Sequence, residues 1–399
     1  MNVLIISYMY PPMSGGGVQR IHSLSEFLSE MHEVTVYTET VKNYRYDVYD
    51  NTNTVDTRVE VLTKLGKEGS EKRKRLVIAS EHGGGSKNGK FRGLKTSLKA
   101  VASYFLPDAN IGFLINGLKS MVGMKIGFDV VIGTVRPPSN ALIAYFYAVI
   151  NRVPLIVEYR DLWYGQEFQQ NLWSPFQWFY EFLVLRRAEK IVVVSPAYSK
   201  ILGLRFPSVK SKIFLITNGF PESLLAKRKI GKLNSKVISH FGRFYGPRSP
   251  DVLLDVLRDS FEDVKLEHYG PAYETDALNF ENMGHISFED SWRIQSEPSS
   301  GILLIIEGTS DNIPGKLYEY YATGKPILCI IPMESVIRSI FMDVDSIYFA
   351  EPTKESITAA LVSAQNAELD MTIDNNDKFS RASCNQQYLT LIDEVTRNN

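Results

Sequence analysis

The residues best suited to chemistry lie in a few short stretches. Asp311 and Glu319 stand with seven residues between them, and Lys316 falls inside that interval, in Asp311-Asn-Ile-Pro-Gly-Lys-Leu-Tyr-Glu319. Gly324-Lys325-Pro326 then leads into an apolar run, Ile327 to Ile331. Upstream, Gly242-Arg243 follows the strand-like stretch Val237 to Phe241, and Arg248 comes shortly after. A guanidinium carries a planar fork of N–H donors that matches two phosphate oxygens at once. In the first half, Gly15-Gly16-Gly17 follows an apolar run, where glycines let backbone N–H groups approach an anion at a helix N-terminus. Arg136-Pro-Pro138 and Arg160-Asp161-Leu162-Trp163 each follow an apolar run as well. Plainer readings stand beside these. Lys316 and Glu319 suit an i,i+3 surface pair, Asp311 suits a helix N-cap, and Arg160 with Asp161 suits a structural ion pair.

These stretches share one setting: each begins where a strand-like run ends. Val3 to Ser7 is β-branched and apolar, as a buried parallel strand is. After the glycine loop, Ile21, Leu24, Phe27, Leu28 and Met31 recur at helical spacing. Val34 to Tyr37 is the next strand. Val130 to Ile132, Leu155 to Tyr159, Ile191 to Val194 and Ile213 to Thr217 continue the series, with helical patterns between them. A second series runs through Val237 to Phe241, a helix over Val252 to Leu257, then Val264 to Tyr269, Ile302 to Ile306 and Ile327 to Ile331. The polar, basic stretch Lys227 to Lys236 between the two series reads as a linker. The alternation predicts two doubly wound α/β domains, in which ligands sit at the carboxyl ends of the strands. A final helical pattern places Tyr388, Leu391, Ile392 and Val395 on one face.

Composition narrows the function classes. The chain has 399 residues, 44% hydrophobic and 22% charged, with a formal net charge of −1, so it is globular in character and carries no overall nucleic-acid signal. Two cysteines, Cys329 and Cys384, are too few for a disulfide framework and predict a reducing compartment. No apolar run reaches the ~18 residues that span a bilayer. The start reads as a strand, not as a signal peptide. The six histidines show no metal-ligand spacing, and Asp343-Val-Asp345 is a three-residue pattern that chance supplies easily. No Gly-x-Ser-x-Gly supports a serine hydrolase.

With Asp311 in place of a first Glu, the stretch from Asp311 to Pro326 resembles the Glu-x7-Glu and Ala-x-Gly-x-Pro motifs of the retaining glycosyltransferases of family 4. Gly242-Arg243 with Arg248, Asn218-Gly219 and the glycine loop fit the same family. Arg160-Asp161-Leu162-Trp163 is similar to a subgroup that acts on bacterial surface polysaccharides and O-antigen. The resemblance implies a GT-B fold, two Rossmann-like domains facing across a cleft. It implies an acceptor-side domain at 1–220, a nucleotide-sugar domain at 221–375 and a crossing helix at 376–399. Catalytic roles fall to Asp161, Asp311, Arg243 and Lys316. Donor contacts fall to Gly16, Gly17, Asn218, Arg243, Arg248, Lys316, Leu317 and Glu319, with Glu319 on the ribose hydroxyls and the cations on the diphosphate. Glu307 is an alternative to the shorter Asp311. Arg136, Arg160 and Asp161 fall on the acceptor side. The donor is a UDP- or GDP-sugar, with no metal and no further cofactor. The acceptor is a glycan or a polyprenyl-diphosphate-linked glycan, and the location is cytoplasmic, at the inner membrane face.

Lys64 to Lys99 holds eleven Lys and Arg against three acids, and an amphipathic pattern follows it. It suits either a solvated insertion or contact with an anionic membrane. Three other readings remain open. A GT-B nucleotide-sugar 2-epimerase would convert its substrate without an acceptor. An NAD dehydrogenase would need a Gly-x-Gly-x-x-Gly loop, which is lacking. A degenerate binding subunit would tolerate loss of Glu319 or Arg243.

Overall fold

The computed structural model describes residues 1–11, 13, 16–39, 59–63, 104–123, 127–165 and 174–397. The chain divides into two compact units. One comprises Met1–Val194, Tyr198–Leu215 and Gln387–Asn399; the other comprises Ser195–Ala197 and Ile216–Gln386. Gly15 and the basic Lys64 to Lys99 segment lie outside the described residues.

The first unit is built on β1 (Asn2–Ile6), β2 (Glu33–Thr38), β3 (Val59–Thr63), β4 (Val130–Val135), β5 (Leu155–Tyr159), β6 (Lys190–Val193) and β7 (Ile213–Leu215). They pair in parallel in the order β3-β2-β1-β4-β5-β6-β7. Its helices are α1 (Gly16–Ser29), α2 (Ile111–Gly123), α3 (Pro138–Asn151), α4 (Pro175–Arg187) and most of α5 (Pro196–Arg205). Every residue of β4 and β5 is buried, as central parallel strands require when helices cover both faces. Met31, grouped above with the α1 face, lies past the end of that helix and is half exposed.

The second unit carries β8 (Val237–Phe241), β9 (Lys265–Tyr269), β10 (Phe280–Gly284), β11 (Ile302–Ile306), β12 (Ile327–Ile330) and β13 (Ile347–Ala350), in the order β10-β9-β8-β11-β12-β13, all parallel. Between them lie α6 (Asp251–Ser260), α7 (Phe288–Ser296), α8 (Gly315–Ala322), α9 (Val336–Phe341) and α10 (Lys354–Gln365); α11 (Arg381–Arg397) gives residues to both units. Side chains alternate along β11: Leu303 and Ile305 enter one core with α8, while Ile302, Leu304 and Ile306 enter the other with α6 and α10. Both sheets reverse strand order at one place, between β1 and β4 in the first and between β8 and β11 in the second. Such switch points open a crevice at the carboxyl ends of the flanking strands.

Differences from the sequence expectations have simple causes. β10 (Phe-Glu-Asn-Met-Gly) is a partly exposed edge strand and lacks the buried apolar signature. The expected linker Lys227 to Lys236 is held by the second unit: Arg228 donates to the carbonyls of Ala322 (2.6 Å) and Ile373 (2.8 Å). The units part at Leu215 and Ile216 instead.

Gly-Lys-Pro between α8 and β12 is a packing device. Gly324 has φ +69°, and a Cβ there would lie 1.8 Å from the Asp370 carbonyl oxygen. Lys325 is 1% exposed and donates to Glu297 O (2.9 Å) and Ser300 Oγ (2.6 Å). Burial pushes its ammonium down to about 7, with Glu267 and Glu297 opposing. The unfolded chain therefore binds more protons than the folded one between about pH 7 and 10.5. Stability gains from this group as pH rises through that window. Lys325→Met is expected to flatten that part of the wild-type profile, read by urea denaturation across the window. An unchanged slope would remove Lys325 as its source.

Candidate functional site

In the second unit the groups converge at the β8/β11 switch point. β8 ends at Phe241, whose N–H donates to Tyr320 Oη at 3.1 Å. That bond ties the strand end to α8, one residue from Glu319. Gly242 then donates to Tyr269 O (3.0 Å), and Arg243 turns outward. Its side chain is exposed and makes no ion pair among the described residues. A solvated, unpaired guanidinium at a switch point is available to an incoming anion.

Arg248 is placed differently. Its Nε lies 3.2 Å from Glu307 Oε1 and its Nη2 is bonded to Glu307 Oε2. Glu307 is 1% exposed and also accepts from Thr309 N (3.3 Å), Thr309 Oγ1 (3.1 Å) and Asn312 Nδ2 (3.1 Å). The expected phosphate cation is thus half of a bidentate ion pair. Glu307, considered above as an alternative to Asp311, is fully engaged and faces its neighbours instead of a ligand.

On α8, Lys316 Nζ stands 3.1 Å from Glu319 Oε2 and 3.3 Å from Ser291 Oγ. Phe288 lies beneath it, with the ring centroid 5.9 Å from Nζ. Glu319 is 8% exposed. Its Oε2 is buried and, beyond the ion pair, has no aligned hydrogen bond. Space is open at Gly315, where a Cβ would meet nothing within 4 Å. Leu317 is corrected by its position: its side chain is wholly buried in the core and its N–H bonds Pro314 O at 3.0 Å, so neither is free for a donor. Asp311 lies in the loop before α8, half-buried, and its carbonyl accepts from Ser195 Oγ (2.8 Å). Asn218 and Gly219 run beside residues 379–381; a Cβ on Gly219 would sit 2.8 Å from Phe379 O.

The sequence reading missed a pair of rings. His240 and His268 are register partners on β8 and β9, with their Nδ1 atoms 3.0 Å apart. Burial, then His268, Lys316 and Arg248, hold His240 well below the usual imidazole range. Metal-ligand spacing, the pattern the six histidines lack, says nothing of such a pair. The available signal was that each occupies the fourth position of a five-residue strand.

In the first unit the other named residues gather at the carboxyl ends of β1, β4 and β5. Arg160 donates from Nη2 to Arg136 O (3.0 Å), and Arg136 donates from Nε to Leu162 O (2.9 Å). Arg160 Nε and Nη1 and Arg136 Nη2 are buried with no hydrogen-bond partner among the described residues. Burial lowers both guanidinium pKa values, with the Asp161 carboxylate among the opposing charges. α1 begins at Gly16, and a Cβ on Gly17 would lie 2.1 Å from Arg160 Nη1. Glycine there lets the guanidinium rest against the first turn of the helix. Tyr159 Oη donates to Glu181 (3.0 Å), which also binds Arg205 (3.1 Å), and this buried network anchors the strand end that carries Arg160 and Asp161. Three unsatisfied guanidinium N–H-bearing atoms beside a helix N-terminus suit an anionic ligand.

Among the described residues no group of His, Cys, Asp and Glu is arranged to hold a metal ion. No described helix is long and apolar enough to cross a membrane.

Residues 14–224 match the model of Glycosyltransferase Family 4. No curated protein matches the chain at a significant level. Among solved structures, HepE from Anabaena in complex with UDP and glucose is similar, with TM-score 0.61 and 13% identity over 99% of this chain and 100% of that one. Sucrose-phosphate synthase from Thermosynechococcus elongatus gives 0.65 and 12% over 100% and 99%. UDP-GlcNAc 2-epimerase from Methanocaldococcus jannaschii gives 0.54 and 11% over 99% and 100%. At these identities the likeness is one of fold, the two-sheet α/β GT-B architecture expected above.

Proposed function

The chain belongs to glycosyltransferase family 4, and from that premise we propose a retaining transferase that moves a sugar from a UDP- or GDP-sugar to a glycan or polyprenyl-diphosphate-linked acceptor. The single observation that carries this reading is the switch point of the second unit, where unpaired Arg243 and the Lys316–Glu319 pair surround one strand end. HepE, similar in fold, is described with UDP and glucose, which favours a nucleotide-sugar donor.

In this reading Glu319 accepts hydrogen bonds from the two ribose hydroxyls. Arg243 and Lys316 hold the diphosphate, with Arg248 positioned by Glu307 and Asn218 in the same unit; the family resemblance adds the amides of Gly16 and Gly17 as donor contacts. Arg136, Arg160 and Asp161 serve the acceptor and sugar, with Asp311 near the sugar. The bond from the anomeric carbon to the diphosphate breaks, and the bond to the acceptor oxygen forms on the same face. The acceptor proton passes to a diphosphate oxygen. Negative charge grows on the leaving group, so fixed cations stabilise the transition state more than the ground state. No metal or further cofactor takes part in this scheme. The pathway is bacterial surface-polysaccharide or O-antigen assembly at the inner face of the cytoplasmic membrane, with the basic Lys64 to Lys99 segment toward anionic lipid.

The test is calorimetric titration with UDP and with GDP, repeated on Glu319→Ala and Arg243→Ala. One nucleotide is expected to bind, and each substitution to weaken it about 10- to 100-fold, the loss of a charged hydrogen bond. Binding of neither nucleotide would sink the reading. Conversion of a sugar nucleotide without acceptor would favour the epimerase chemistry of the third similar fold.

A further inference from the structure

Two imidazole Nδ1 atoms 3.0 Å apart cannot both be donors or both be acceptors. The rest of the chain decides which is which. His268 Nε2 lies 2.9 Å from Pro271 O, and a carbonyl only accepts, so that nitrogen carries the proton. Neutral His268 then has a bare Nδ1. His240 must donate to it from Nδ1, which leaves the lone pair of His240 at Nε2. Phe244 stacks on His240 at 3.9 Å between centroids and on His268 at 4.5 Å, which holds both ring planes. His240 Nε2 bonds nothing among the described residues, and it sits 3.7 Å from the Cβ position of Gly242, immediately before Arg243.

We propose that His240 Nε2 binds the diphosphate of the nucleotide, taking up one proton from solvent as it does so. This deepens the transferase reading and rests on it.

The charges around the ring support the step. The cations acting on His240 are Lys316 on α8 and Arg248 in the turn after β8; its ring partner on β9 is neutral His268. Glu319 partly offsets Lys316, and Glu307 offsets Arg248. In the empty protein, burial and these cations keep Nε2 unprotonated. A bound diphosphate reverses the local sign. One phosphate charge about 5 Å away raises proton affinity by roughly two orders of magnitude at an effective dielectric of about 20. Protonation adds a donor at Nε2 and leaves the Nδ1–H to His268 and the His268 to Pro271 bonds in place. The ring therefore switches from bare to donating without moving. At the reaction's leaving group it supplies a hydrogen bond that strengthens as charge accumulates.

His240→Asn tests this, because its amide can still donate to His268 while the titrating nitrogen is gone. Wild type and His240→Asn are each titrated with UDP and GDP at about pH 6.5, in buffers of different ionisation enthalpy, so that the nucleotide's own phosphate ionisation cancels in the comparison. Wild type is expected to take up more protons than His240→Asn, by roughly half a proton or more per nucleotide bound, and its affinity advantage to grow several-fold from about pH 8 to pH 6. Equal uptake, or an advantage independent of pH, would overturn the proposal while leaving the donor site standing. Binding of neither nucleotide to wild type would overturn both. Should His240→Asn not fold, imidazole ¹⁵N spectra of wild type decide the matter: Nε2 of His240 must pass from bare to protonated on adding the nucleotide, and no change overturns the step.

Discussion

Lys316→Met is expected to lower turnover at saturating donor about 10²- to 10³-fold, the usual cost of removing one fixed charge from a developing oxyanion. Lys316 Nζ is held between Glu319 and Ser291 over the Phe288 ring. Met keeps the length of the stem and its contact with Phe288 but carries no charge. Stability should fall as well, by about 1 to 3 kcal/mol, because Glu319 is buried and its Oε2 keeps no other aligned hydrogen bond once the ammonium is gone. The measurement is release of nucleoside diphosphate from the donor in the presence of acceptor, alongside thermal melting. Turnover within about threefold of wild type would place Lys316 outside the chemistry and leave it as a surface partner of Glu319.

Arg248→Met is expected to act chiefly on the fold, costing about 3 kcal/mol of stability before any effect on rate is considered. The substitution strands the Glu307 carboxylate, which is 1% exposed and keeps only the donors from Thr309 and Asn312. Those remaining bonds set the estimate at the low end of the range for a broken buried pair. For a unit of this size the loss corresponds to a fall in Tm of roughly 6 to 12 °C. The double variant Arg248→Met with Glu307→Gln should regain part of it, since no buried charge is then left unpaired. A single variant that melts like wild type would show that Arg248 is free to serve the ligand, as Arg243 is. The two arginines, five residues apart, thus separate by assay: Arg243→Ala strikes nucleotide binding, and Arg248→Met strikes the fold.

Much of the architecture was legible because buried parallel strands are apolar on both faces. Ile302 to Ile306 declares itself as a continuous run and Leu155 to Tyr159 as a run broken only by Glu158, and both are wholly buried. β10 escaped because an edge strand needs no such run, and its Phe-Glu-Asn-Met-Gly reads as a loop. Linker composition misled for a related reason. Lys227 to Lys236 is basic and poor in apolar residues, yet Arg228 bonds two carbonyls of the second unit, a contact between residues up to 145 apart in sequence. Local composition carries no trace of such a partner.

At the candidate site the sequence by itself determined which residue types stand where strands end. Arg243, Lys316 and Glu319, and Arg136 and Arg160 in the other sheet, follow strands because doubly wound chains place their loops there. Only the tertiary structure decided what each side chain is free to do. It bound Arg248 to Glu307, buried Leu317, sealed Lys325 against Glu297 and Ser300, and set His240 beside His268 in neighbouring strands. Chemical type is a property of one residue. Availability depends on the counter-charge, the burial and the proton acceptor supplied by residues distant in sequence, and those are fixed by packing.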